Sequence, residues 1–129
     1  FFIFDYNQQK KNEIISEKFI KAGIALSSKD NKKSKKLYEE IVFSKNKFYS
    51  PLALNNIIEN NLEKENEKVL DFFKIIENIK MDKDELDLIK LKKALYLKKH
   101  FQVADGNKLL KEIISENSIW KDAAVKLLD

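Results

Sequence analysis

The sequence predicts an all-α protein, a stack of antiparallel helical hairpins with about seven helices. Three observations predict it. Turn-formers are scarce, with 2 Gly and 1 Pro in 129 residues, which excludes a sandwich or barrel needing a turn about every ten residues. Apolar residues recur at steps of three and four through most of the chain. One register also repeats: Ala22 with Tyr38 and Ile41, Ile57 with Phe73 and Ile76, Ala94 with Leu110 and Ile113, the sets lying 35 and then 37 residues apart. Stacked hairpins have that period, and each unit needs a neighbour to bury its apolar face.

Each element has its own signal. Ile15, Phe19, Ala22, Ala25 and Leu26 predict a first helix from about Gln8 to Ser27, broken at Ser28 to Asn31. Leu37, Tyr38, Ile41 and Val42 form the stripe of a second, ending in the polar stretch Ser44 to Lys47. Ser50 before Pro51 reads as an N-cap followed by the first helical position, where the missing proline N–H costs nothing. Leu52, Leu54, Ile57, Ile58 and Leu62 then make helix three, and Val69, Leu70, Phe72, Phe73 and Ile76 make helix four. The short connection Glu63 to Asn66 forces these two antiparallel.

Asp82 followed by Glu85 fits a capping arrangement opening helix five, which carries Leu86 to Leu97. Helix six carries Val103, Leu109, Leu110, Ile113 and Ile114. Ser118 reads as the cap of a seventh helix containing Ala123, Ala124, Leu127 and Leu128. The hairpins are thus expected at about 8–45, 50–78 and 83–116, with a last helix over 118–129, all in one domain from residue 7 to 129.

Where paired helices cross, the register holds Ser34, Val69 and Gly106, two of them small, with bulky Tyr38, Phe73 and Leu110 a turn later. Tetratricopeptide hairpins need the same alternation, so the predicted stack is tetratricopeptide-like, a right-handed α-α superhelix. It departs from that consensus at Ile57, where a small residue belongs, and in lacking the first-helix Trp, the Leu-Gly pair and the terminal Pro.

Net charge is +4, and all 25 basic residues are Lys. Nucleic-acid binders ordinarily use the guanidinium fork for bidentate contacts, for which Lys substitutes only as a point charge. The 21 acidic residues are interspersed with the lysines, so a solvated mixed-charge surface is expected rather than a basic stripe. No Cys is present, which removes disulfides, thiolate metal sites and a Cys nucleophile. A single histidine, His100, without Cys or Arg gives poor support for hydrolytic or metal catalysis, and its place at a helix C-terminus explains it electrostatically. Asp82, Asp84 and Glu85 do not begin a calcium loop, because Asp87 and Lys93 stand where such a loop needs Gly and Glu. No cofactor, metal or small-molecule substrate is expected.

The opening Phe1-Phe2-Ile3-Phe4 is wholly apolar and gives way at Asp5-Tyr6 to a Lys-rich segment. It reads equally as the end of a membrane-spanning helix, with Tyr6 at the interface and residues 1–6 as its remnant, or as an apolar turn packing on the domain. Of the aromatics near hairpin junctions (Phe43, Phe48, Tyr49, Phe72, Phe73, Tyr96 and Trp120), most are expected in the core. Tyr49, Tyr96 and Trp120 carry polar tips and are the candidates for half-exposed, protein-binding positions.

Three stretches resemble a bacterial family. Phe48-Tyr49-Ser50-Pro51-Leu52-Ala53-Leu54 is similar to its aromatic-small-x-Leu-Ala entry to a second hairpin. Leu88 to Ala94 is similar to its apolar-x-x-Leu-x-x-Ala segment, and Ile119-Trp120-Lys121-Asp122-Ala123-Ala124 to its Trp-x-x-Ala entry to the next repeat. The chain thereby resembles the tetratricopeptide-like periplasmic domain of the ancillary SecYEG translocon subunit, the YfgM-type proteins, although members carry Arg in the repeats where this chain has only Lys. The resemblance implies a single-pass bacterial inner-membrane protein whose repeats face the periplasm and contact the translocon, secreted chains or periplasmic chaperones, without catalytic residues. The expected function is a non-catalytic protein-interaction scaffold. A soluble tetratricopeptide-like subunit of another assembly is the alternative, and a Lys-rich helical nucleic-acid binder stands behind both.

Overall fold

A computed structural model gives the structure of the protein. It describes residues 2–100 and 102–128, and of residues 2–4 the backbone alone. The protein is all-α. Among the described residues there are seven helices and no strand: α1 (Phe2–Ser27), α2 (Asn31–Phe43), α3 (Tyr49–Glu59), α4 (Asn66–Glu77), α5 (Lys83–Lys99), α6 (Val103–Ser115) and α7 (Lys121–Leu127). They form two compact units, residues 1–79 and 80–129. No helix among the described residues is long and apolar enough to cross a membrane. Phe1, and the side chains of Phe2, Ile3 and Phe4, lie outside the described residues, and with them the reading of the apolar start.

In the first unit α1 pairs with α2 over a long stretch, and α2 with α3, whereas α3 and α4 touch more briefly. First helices also meet first helices (α1 with α3), and second helices meet second helices (α2 with α4). In the second unit α5 pairs extensively with α6, and α7 closes on α6. Helix α1 begins earlier than the expected Gln8 because no Gly or Pro interrupts residues 2–7, and Asp5 in the first turn suits the positive end of the helix dipole.

All twelve register positions are inside. Ala22, Ile57 and Ala94 have no exposed surface, Tyr38, Phe73 and Leu110 at most 2%, and Ile41, Ile76 and Ile113 none; Ser34, Val69 and Gly106 are buried with them. The crossing position works as small residues should. The Ser34 hydroxyl donates to the Ala22 carbonyl at 3.0 Å. At the matching place Gly106 lies so close to α5 that a Cβ would stand 2.7 Å from the Ala94 carbonyl oxygen. Ser34 and Gly106 therefore each face the main chain of their register partner. Val69 and Ile57 are both bulky, in keeping with the shorter α3–α4 contact.

Two expected caps have other duties. Ser50 is the second residue of α3, fully buried, and its hydroxyl donates to the Ile41 carbonyl of α2 at 2.7 Å. The real initiator is Asn46, whose Oδ1 accepts from the Phe48 and Tyr49 N–H groups at 3.0 and 2.8 Å. Likewise α7 starts after Trp120, and Ser118 holds the preceding turn by accepting from the Trp120 N–H at 3.2 Å. The Asp82 cap is present, its carboxylate accepting from Glu85 N–H at 2.9 Å. Asp30 caps α2 in the same way through Lys33 N–H at 3.2 Å.

Helices α1, α3 and α6 end without glycine. Lys29, Asn61 and Asn117 take φ of 63°, 50° and 55°. The next residue's N–H then reaches back to the buried turn: Asp30 to Ala25, Leu62 to Ile57 and Ser118 to Ile113. This is the left-handed closure that usually selects Gly. Here Asn and Lys fill it, so chain reversal left little trace in the glycine count.

Candidate protein-interaction surface

Tyr49 opens α3 under the Asn46 bonds, and its ring leans on Phe19 of α1 with centroids 5.3 Å apart and on Phe48 at 4.9 Å. Its hydroxyl donates to Ser16 Oγ at 3.3 Å. Half-buried, it forms one wall of an open groove of about 540 Å³ whose other lining residues, Gln9, Asn12, Glu13, Ser16 and Glu17, all belong to α1. The groove thus lies along the first helix of a hairpin and the start of the next first helix. Its lining is polar and anionic. Among the described residues no lysine pairs with Glu13 or Glu17, while Asn12 is fixed by Gln8 at 3.4 Å and by Asn46 at 3.2 Å. Such a lining can hydrogen-bond a peptide backbone and attract a basic side chain.

The other two candidates are built into the second unit. Tyr96 is not half-exposed: it is buried, its ring stacked on His100 at 4.1 Å, one helical turn on. Its position between Ala94 and Leu97 turns it inward, and the histidine covers it. That contact gives His100 a packing role at the C-cap of α5. Trp120 is half-buried against the cluster of Ala94, Leu110, Ile113 and Ala124, and its indole N–H donates to the Asp84 carbonyl at 3.0 Å. Its polar tip is therefore committed inside its own unit.

Among the described residues, each unit also contains one buried carboxylate used for fastening. Glu63, in the α3–α4 connection, accepts from Glu65 N–H at 3.0 Å and meets Lys35 of α2 at 3.1 Å. Burial alone would raise this carboxyl, but the Glu65 N–H and the Lys35 ammonium hold it below its ordinary value. Asp87 of α5 is bound by Lys83 at 2.7 Å and by the Ser118 hydroxyl. These overcome burial and likewise hold it low. Burial pushes the Tyr38 hydroxyl up and, ahead of the opposing Lys35, the Glu39 carboxyl as well. Among the described residues no three His, Asp or Glu gather as a metal site.

Phe43 and Phe48, expected with the core aromatics, are in fact exposed. The available signal was their flanking of Ser44 to Lys47: Phe43 lies just past the Ile41–Val42 edge of the α2 stripe, and Phe48 stands before the helix begins. Compared with known proteins, the chain matches no family model, no curated protein and no solved structure.

Proposed function

We propose that this protein is a non-catalytic interaction scaffold, a tetratricopeptide-like array that presents a groove along its first helices to a partner protein. The observation that carries the reading is the common register. All twelve matched positions are consumed in helix packing, and in the first unit the hairpins meet first helix to first helix and second to second. Residues spent this way leave recognition to the outer faces, where Tyr49 and the α1 groove offer hydrogen-bonding and anionic groups to a basic segment. The more specific form of the reading, a membrane-anchored periplasmic subunit beside the Sec translocon, rests on the three packing motifs alone.

A photo-crosslinking residue replacing Gln9 tests the groove in intact cells, with the same residue replacing exposed Lys36 of α2 as control. A discrete protein adduct is expected from position 9, reduced by Glu13→Lys and absent from position 36. Equal labelling from both positions, or none from position 9, contradicts the scaffold reading. Affinity capture of the membrane-tethered full-length protein addresses the finer form, which requires a translocon component or periplasmic chaperone among the recovered proteins.

A further inference from the structure

The turn between α2 and α3 carries two large apolar side chains outside the core. Phe43 and Phe48 are 58% and 65% exposed, each propped by another ring in a T-shaped contact, Phe43 by Phe72 at 5.9 Å and Phe48 by Tyr49 at 4.9 Å. Between them stand Lys45 and Lys47, both exposed, and no acid. On α2 just before the turn, Glu40 is already paired with Lys18 at 3.2 Å.

The turn is also fastened. Ser44 hydroxyl donates to the Ile41 carbonyl at 2.6 Å, Asn46 N–H to Ser44 Oγ at 3.3 Å, and Asn46 Nδ2 to Asn12 at 3.2 Å. Asn46 Oδ1 meanwhile takes the Phe48 and Tyr49 N–H groups. The backbone of the turn is therefore held by hydrogen bonds in the free protein, which lowers the ordering cost of binding. A hydrogen-bonded turn in which two exposed aromatic rings flank two exposed ammonium groups matches a surface in which an apolar layer lies just beneath anionic phosphates.

We propose that this turn is a contact site for an anionic lipid bilayer, with Phe43 and Phe48 entering the headgroup boundary and Lys45 and Lys47 meeting lipid phosphates. Aromatic rings favour that depth, and each lysine near the surface adds attraction to acidic headgroups. Lipid phosphates impose no fixed hydrogen-bond geometry, so lysine as a point charge suits them; base-edge recognition would favour the arginine fork, which this chain lacks.

The test is co-sedimentation of the whole chain with vesicles of phosphatidylcholine and phosphatidylglycerol in equal parts, beside vesicles of phosphatidylcholine alone and a single-stranded oligonucleotide. Binding is expected on the mixed vesicles, weakening with salt and much poorer on phosphatidylcholine. The double variant Phe43→Ser, Phe48→Ser should lose roughly tenfold or more, and Lys45→Gln and Lys47→Gln roughly fivefold each. All these side chains are exposed, so the helical circular dichroism should be unchanged, and the lysine variants test the site independently of the aromatic pair. No binding to mixed vesicles, wild-type binding by the variants, or oligonucleotide binding that competes with the vesicles would overturn the proposal.

Discussion

In the α1–α2 hairpin the Ser34 hydroxyl reaches the Ala22 carbonyl, whereas at the same register position of α5–α6 Gly106 offers no side chain and lets α6 settle against Ala94. One closes the crossing with a hydrogen bond, the other by leaving out an atom. Between them, at Ile57 and Val69, neither device is present and the α3–α4 contact is shorter. The register therefore fixes which positions are buried, while the residue at the crossing governs how closely two helices approach. Gly23, one residue beyond Ala22, makes the contrast sharper: a Cβ there would meet only the Tyr38 hydroxyl at 3.8 Å. The two glycines of this chain have opposite structural meaning.

The largest effects test whether matched positions in the two units do equal work. Phe73→Ala in the first unit should cost about 3–5 kcal/mol and Leu110→Ala in the second about 2–5 kcal/mol, since both side chains are essentially inaccessible. Urea unfolding measures both. A small loss at either would break the correspondence.

Next come the buried carboxylates, where the units should differ. Removing Lys35 strips Glu63 of its ammonium in a site only 3% exposed; Lys35→Ala should cost about 1–3 kcal/mol. Lys83 is 60% exposed and Asp87 keeps the Ser118 hydroxyl, so solvent screens the pair and Lys83→Ala should cost less than Lys35→Ala.

For these two carboxylates the pH dependence has the same sign. Glu63 and Asp87 have folded pKa values below their ordinary ones. Their contributions are therefore complete above the ordinary carboxylate range and are lost as pH falls from about 4 through the folded values. Glu63→Gln and Asp87→Asn should each flatten the acid limb of stability against pH; an unchanged limb would mean that neither carboxylate is held low.

The smallest effects concern the caps. Asp30→Ala and Asp82→Ala should each cost about 1 kcal/mol, read as a lower urea midpoint. Only Asp82 was legible beforehand, because Glu85 follows it in a recognisable spacing. Asp30 was hidden inside a stretch that reads simply as a break.

That contrast runs through the whole chain. The helices and the buried register were readable because periodicity records which side of a helix faces inward. Ser50 and Ser118 were misread because a serine beside a helix start has the same sequence signature whether it caps or bonds a neighbouring element. The left-handed closures at Lys29, Asn61 and Asn117 were invisible without glycine. At the surface, Tyr49 was a usable candidate, but burial of Tyr96 under His100 and exposure of Phe43 and Phe48 depend on tertiary neighbours. Aromatic composition alone cannot separate these outcomes.

Urea unfolding of Gly106→Ala beside Gly23→Ala tests the shared register most directly. The close approach of Gly106 to the Ala94 carbonyl predicts a loss of about 1–3 kcal/mol for the first, and the open space at Gly23 predicts a gain of up to about 1 kcal/mol for the second. Equal stabilisation by both would mean that α6 does not rest on α5 at this position, and would contradict the account.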